Sequence, residues 1–145
     1  MFKHPTDMPG NEEGLLEQVA HALSRNGYLH FLNIETKQVK TLNEKMWGME
    51  DVMYDIEEKP DIYLQIIPLP DKDRQILRHK FALKLADTDI RDELLAAIES
   101  YDSNTNWRKA LGKYDDVQAQ WYYFRDNYFE ELAKKWLYEN GFSSN

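Results

Sequence analysis

The amino-acid sequence predicts an α+β fold, with a small antiparallel three-stranded sheet near the N-terminal half and a four-helix C-terminal half packed as one core. Segments with strand composition occur only within residues 28–67, whereas apolar residues recur at helical spacing throughout residues 71–139. A chain of 145 residues with 42% hydrophobic residues has the size and composition of one ordinary domain. We therefore expect a single globular domain over residues 12–145, preceded by a flexible N-terminal arm over residues 1–11.

The N-terminal elements follow from periodicity and turn residues. Leucine, valine and alanine at helical spacing predict a helix over residues 12–26, which Asn26-Gly27 ends. Residues 28–34 and 38–42 have strand composition, and the three residues between them are enough to close an antiparallel hairpin. Residues 62–67 form the third strand, and the prolines at both of its ends favour the edge of the sheet or a strand end over a central position.

The middle and C-terminal elements are predicted in the same way. Residues 44–59 are acidic, and their apolar residues recur at roughly helical intervals, so a short helix and an irregular segment both stay open. Residues 71–86 carry a helical apolar row, and the capping residues at 87–89 begin the next helix. A short helix capped by Asn104-Thr105 then leads to a long aromatic helix over residues 115–139.

Composition excludes several classes of function. The absence of cysteine rules out disulfides, thiolate zinc sites, iron–sulfur ligation and cysteine nucleophiles. The histidines lack the short spacing of a metal motif, and there is no glycine-rich phosphate loop or Gly-x-Ser-x-Gly elbow, so we expect no metal and no cofactor. No apolar run approaches the ~20 residues that span a bilayer, and the N-terminus lacks the apolar core of a signal peptide. We therefore expect a cytoplasmic protein that does not engage a membrane.

Short motifs follow one another over most of residues 28–140. They are Leu32-Asn33-Ile34-Glu35-Thr36, Tyr63-Leu64-Gln65-Ile66-Ile67-Pro68, Leu94 with Ala97-Ile98, Trp107-Arg108-Lys109-Ala110-Leu111, Trp121-Tyr122-Tyr123-Phe124-Arg125 and Glu131-Leu132-Ala133-Lys134-Lys135-Trp136-Leu137. In order and spacing they resemble a bacterial family known only as uncharacterised protein family 0158. The resemblance implies a single-domain cytoplasmic protein and carries no established activity. The chain departs from the family at Asn33, where the family tends to have aspartate, and at Lys37, where it tends to have glycine.

Arg125 is the first candidate site residue. A rotation of about 100° per residue places it on the mostly aromatic face of the long helix, between Leu132 and Trp136. A guanidinium stays protonated, so it needs a carboxylate, carbonyls, an aromatic face or a ligand anion. One interpretation is a structural ion pair. The other is a small-anion or nucleotide site with Trp121 and Trp136 as its walls, and such a site could also belong to an enzyme. The carboxylates considered as structural partners are those of Asp87, Asp89, Asp115 and Asp116.

A basic cluster on the first C-terminal helix is the second candidate. Its long side chains could bind nucleic acid, or they could cover the edge of the core while their charges stay in water. The net charge of −8 favours the second interpretation, because phosphate attraction normally supplies nonspecific nucleic-acid affinity. The cluster consists of Lys72, Arg74, Arg78, Lys80 and Lys84.

Surplus tyrosines are the third candidate. Tyr122, Tyr123 and Tyr138 lie outside the centre of the aromatic arc, and aromatic side chains of this kind are enriched in protein–protein contacts. With no catalytic motif in the chain, the sequence favours a non-catalytic protein-binding or adaptor module over an enzyme. Residues 1–60 hold eleven acidic and six basic residues, which favours a basic partner.

Overall fold

The computed structural model describes residues 12–142. Within them the chain forms a three-stranded sheet and six helices, which confirms the predicted α+β class. Two of the helices precede the last strand and four follow it. The arm predicted for residues 1–11 lies outside the described residues. In chain order the elements are α1 (Glu12–Ser24), β1 (Leu29–Asn33), β2 (Gln38–Leu42), α2 (Met49–Glu58), β3 (Tyr63–Ile66), α3 (Asp71–Leu83), α4 (Thr88–Ile98), α5 (Ser103–Gly112) and α6 (Asp115–Glu139).

The sheet is antiparallel throughout and has the strand order β2-β1-β3. β1 therefore occupies the centre, where Leu32 and His30 are fully buried. The register pairs Leu29 with Leu42 across the β1–β2 hairpin, and His30 with Ile66 across the β1–β3 pair. The edge position of β3 confirms the sequence-based prediction, because the prolines around this strand have no N–H group to donate to a further neighbour.

The hairpin turn contains both Asn33 and Lys37. The side-chain Oδ1 of Asn33 accepts hydrogen bonds from the backbone N–H groups of Glu35 (2.9 Å) and Thr36 (3.0 Å). An aspartate could accept the same two bonds, so residue 33 has a turn-forming role that both side chains fulfil. Lys37 has a φ of 60°, a left-handed conformation that glycine adopts at no steric cost.

One side chain of helix α1 forms two hydrogen bonds with the backbone of the hairpin. Gln18 Nε2 donates to the backbone carbonyl of Lys37 (3.2 Å), and its Oε1 accepts from the backbone N–H of Val39 (2.9 Å). The side-chain amide of Gln18 thus satisfies one backbone carbonyl and one backbone N–H group at the edge of the sheet.

The chain divides into two compact units. We call residues 12–69 with 129–142 the sheet unit, and residues 70–128 the helical unit. One cluster of buried side chains in the sheet unit consists of Phe31, Leu42, Ile56 and Tyr63, and one face of α2 packs against it. The proposed single domain over residues 12–145 stays a prediction.

The helical unit has an aromatic core. The rings of Trp107 and Trp121 meet edge to face with centroids 5.1 Å apart, and the ring of Phe81 lies 5.3 Å from Trp121 and 5.5 Å from Phe124. Such tilted and edge-on contacts are the favourable arrangements for aromatic pairs. α4, which packs against α3 and α5, begins where the side chain of Asp87 accepts hydrogen bonds from the first backbone N–H groups of the helix.

Candidate functional site

Arg125 pairs with its own neighbour in α6. Its Nε and Nη2 donate to Asp126 Oδ1 at 3.2 and 3.0 Å, and its guanidinium carbon lies 5.0 Å from the ring centroid of Tyr122. The side chain is 40% exposed, so it does not need a partner from another helix. The structural partner is therefore Asp126, and the expectation of a distant carboxylate was wrong for all four candidates, Asp87, Asp89, Asp115 and Asp116.

The other residues of the Arg125 hypothesis lie in different surroundings. Trp121 is buried in the aromatic core of the helical unit, whereas Trp136 is partly exposed and belongs to the sheet unit. A ligand-binding role for Arg125, Trp121 and Trp136 stays a prediction. Tyr122, Tyr123 and Tyr138 are exposed on α6, and their role in partner binding likewise stays a prediction.

The predicted basic cluster lies on α3, with Lys84 directly after it. Lys72 and Lys80 are exposed, whereas Arg74 and Arg78 are partly buried beside the apolar row of the helix. Lys84 is also exposed, and its Nζ lies 4.9 Å from the ring centroid of Phe124. Nucleic-acid binding by this cluster stays a prediction.

The histidine of the central strand is a structural residue. His30 Nε2 lies 2.9 Å from the backbone carbonyl of Arg25, and Nδ1 lies 2.9 Å from Thr41 Oγ1. A carbonyl can only accept, so Nε2 carries the proton and Nδ1 accepts from the Thr41 hydroxyl. Burial lowers the pKa of His30 and the positive charge of Arg25 lowers it further, while the hydrogen bond to the Arg25 carbonyl raises it. Both ring nitrogens are therefore engaged within the fold.

The described residues hold no cluster of three or more histidine, aspartate or glutamate side chains that could bind a metal ion. Within the same part of the chain, none of the helices has the length and apolar character to cross a membrane.

A surface with two exposed aromatic side chains lies on and just before α2. Tyr54 is 65% exposed, and Trp47, two residues before the helix begins, is 97% exposed. Side chains three and four residues apart are neighbours on a helix, so Glu50 and Asp51 flank Tyr54 on one side. Glu57 and Glu58 flank it on the other side. We call Trp47, Glu50, Asp51, Tyr54, Glu57 and Glu58 the acidic aromatic surface.

Four carboxylates of this surface have no cationic partner in the part of the chain that the structure describes. Among the described residues, none of its four carboxylates forms an ion pair. The neighbouring Asp55 differs, because it pairs with Lys59 at 3.0 Å and accepts a bond from Tyr63 Oη at 3.4 Å. The hydrogen bond from Lys59 lowers the pKa of Asp55, and the same contact raises the pKa of Lys59. Asp55 is thus fixed to the fold, while the other carboxylates face solvent.

Sequence reasoning did not find this surface. It grouped Trp47 with the apolar residues of residues 44–59, although Gly48, with a φ of 79°, separates Trp47 from the helix. The usable signal was the spacing of acidic residues at three and four positions on both sides of Tyr54.

The fold and its surfaces define a small α+β protein whose candidate sites are an acidic aromatic surface and a basic helix. More specifically, the chain belongs to the Uncharacterised protein family (UPF0158), whose family model matches residues 12–145. This match confirms the resemblance inferred from the motifs. A search of curated proteins found no match, and neither did a search of solved structures.

Proposed function

We propose that this protein is a non-catalytic cytoplasmic binding protein whose acidic aromatic surface recognises a basic segment of another protein. The observation that carries the proposal is Trp47, which is 97% exposed two residues before a helix that carries four carboxylates without an ion pair among the described residues. Tryptophan and tyrosine are enriched among the residues that dominate protein–protein affinity. Lysine and arginine side chains can pair with the carboxylates and also stack on the faces of Trp47 and Tyr54.

Charge complementarity selects the partner. Residues 44–58 contain six acidic residues and one lysine. The negative charge of residues 44–58 attracts a basic segment both at long range and at contact, whereas it repels an acidic protein or a nucleic acid. Folding does not require the exposed aromatics, because the opposite face of α2 supplies the residues that pack on the core of the sheet unit.

The test measures binding of defined basic peptides to the full chain. Isothermal titration calorimetry compares a lysine- and arginine-rich peptide with a peptide of the same length in which glutamine replaces the basic residues. We expect saturable binding of the basic peptide only, weakened by added salt. Trp47→Ala is expected to weaken it by about 30-fold, the effect of losing a ~2 kcal/mol interface residue.

Matched charge variants separate this surface from overall charge. Glu57→Gln with Glu58→Gln removes two charges from the acidic aromatic surface, and Glu130→Gln with Glu131→Gln removes two from α6, where Lys134 already pairs with both carboxylates. Only the first pair should weaken binding. Equal effects of both pairs, or unchanged affinity in Trp47→Ala, would reject the proposal. All variants should unfold within about 0.5 kcal/mol of the parent, because exposed positions contribute little to stability.

A further inference from the structure

A group of arginines in the helical unit is not explained by the proposed protein-binding surface. Arg74 and Arg78 are one turn apart on α3, and Arg78 Nη1 donates to Asn104 Oδ1 (2.8 Å) in the first turn of α5. Arg108 follows Asn104 by one turn on α5. The contact between Arg78 and Asn104 therefore places the three arginines, which we call the arginine patch, on adjoining turns of two helices.

The central arginine has no carboxylate partner within residues 12–142. Arg78 Nη1 donates to two neutral amide oxygens, those of Gln75 (2.9 Å) and Asn104 (2.8 Å). In the described part of the chain it makes no ion pair, and its Nε and Nη2 have no protein acceptor. Partial burial lowers the pKa of Arg78, the charges of Arg74 and Arg108 lower it further, and Asp71 acts in the opposite direction. Because a guanidinium stays protonated in proteins, the patch keeps its positive charges.

The side chain of Arg78 is held in place before any ligand arrives. Gln75, which accepts its bond, is itself fixed by donating to Ser103 Oγ (3.0 Å) and to the backbone carbonyl of Ile98 (3.4 Å). The guanidinium carbon also lies 5.6 Å from the ring centroid of Trp107. A positioned guanidinium loses little conformational entropy when it binds an anion, which raises the affinity that each hydrogen bond contributes.

We propose that Arg74, Arg78 and Arg108 bind the phosphate group of a small phosphorylated molecule, with the free N–H groups of Arg78 as the central donors. Several guanidinium groups match a dianion with three terminal oxygens, whereas one carboxylate is satisfied by a single arginine. The aromatic ring under Arg78 belongs to Trp107, which is 2% exposed and offers no face on which a nucleobase could stack. The net charge of −8 further disfavours a polyanion.

The test is isothermal titration calorimetry on the full chain at constant ionic strength, with glycerol 2-phosphate as the probe. Inorganic phosphate tests whether the phosphate group is sufficient, and acetate tests a monocarboxylate. We expect saturable millimolar binding of both phosphates and at least about tenfold weaker binding of acetate. Absence of saturable phosphate binding, or equal binding of acetate, overturns the proposal. So does tighter binding of a single-stranded oligonucleotide that is lost together with Arg78, because it assigns the patch to nucleic acid.

Three variants locate the site. Arg78→Gln should weaken phosphate binding by about tenfold or more, since charge-assisted hydrogen bonds are the strong ones. Lys72→Gln removes the same charge from an exposed position of α3 and should change the affinity by less than about twofold. If Arg78→Gln fails to fold, the exposed Arg108→Gln takes its place, with an expected loss of several-fold. Equal losses in Lys72→Gln and in the arginine variants overturn the proposal, because they show attraction to general positive charge.

Discussion

Mild acidification should destabilise the protein through His30. This side chain is fully buried in the central strand, with Nε2–H donating to the Arg25 carbonyl and Nδ1 accepting from the Thr41 hydroxyl. Charging the ring places a positive charge in the interior, with Arg25 as another positive charge nearby. The unfolded chain pays no such cost, because water solvates its histidines.

The sign of the effect follows from the direction of the pKa shift. The pKa of His30 is lowered in the folded protein from its ordinary value of 6.5, so below about pH 6.5 the unfolded chain binds a proton that the folded chain does not. The free energy of unfolding therefore falls as the pH decreases, from near pH 6.5 down to the folded-state pKa. One proton corresponds to a slope of at most about 1.4 kcal/mol per pH unit. Burial also lowers the pKa of His21, which adds a smaller effect of the same sign because its side chain is exposed.

Urea unfolding at a series of pH values between about 7.5 and 5.5 measures this slope above the range in which ordinary carboxylates titrate. His30→Gln should be less stable at pH 7.5 by about 1–3 kcal/mol, the cost of disturbing buried hydrogen bonds, and its stability should vary less with pH. His79→Gln, at an exposed position of α3, is the control and should keep the slope of the parent. A parent that becomes more stable on acidification, or an unchanged slope in His30→Gln, would refute the reasoning.

Three further predictions concern local structure. Lys37→Gly should stabilise the protein by about 0.5–1 kcal/mol in urea unfolding, because it removes a side chain from the left-handed conformation at φ 60°; a loss of stability would contradict this. Asp87→Ala should cost about 1 kcal/mol, since two backbone N–H groups at the start of α4 lose their acceptor, and a neutral result would contradict the cap. The hydrogen bond to Glu93 raises the pKa of Tyr114, so Glu93→Gln should lower the midpoint of the Tyr114 ring titration measured by NMR, and an unmoved midpoint would contradict the contact.

Elements whose signals are local were predictable from the sequence. Strand β2 and helix α6 have the predicted bounds, because a short hairpin loop marks the start of β2 and a pair of aspartates in the first turn marks the start of α6. Helix α3 ends at Leu83, three residues before the predicted end at residue 86. The last carbonyls of the helix accept hydrogen bonds of the 3₁₀ type. The N–H of Lys84 donates to the carbonyl of Phe81, and the N–H of Leu85 donates to that of Ala82. Sequence periodicity does not distinguish such a turn from a further helical turn.

The acidic aromatic surface could not be predicted, because exposure depends on which face of α2 meets the core. Val52, Met53 and Ile56 pack against the core of the sheet unit, so Tyr54 is left outside. The helical intervals in the sequence join Trp47 to this apolar row, but the helix begins only at Met49. Helical periodicity does not set the direction of a side chain that precedes the first turn, as Trp47 does.

The expectation of a distant partner for Arg125 was wrong for a related reason, which concerns the length of α6. Successive buried residues of this helix lie four residues apart, except that Arg125 occupies the position between the second and the third of them. Each step of four residues turns by about 40°, so the buried row rotates by about 200° from its first member to its last. A single helical wheel drawn for all 25 residues assumes one buried face, whereas α6 begins in the helical unit and ends in the sheet unit. Arg125 lies close to this change, where its guanidinium can pair with Asp126 and stay partly in water, so its position among aromatic residues does not require a ligand. The buried row consists of Val117, Trp121, Phe129, Ala133 and Leu137.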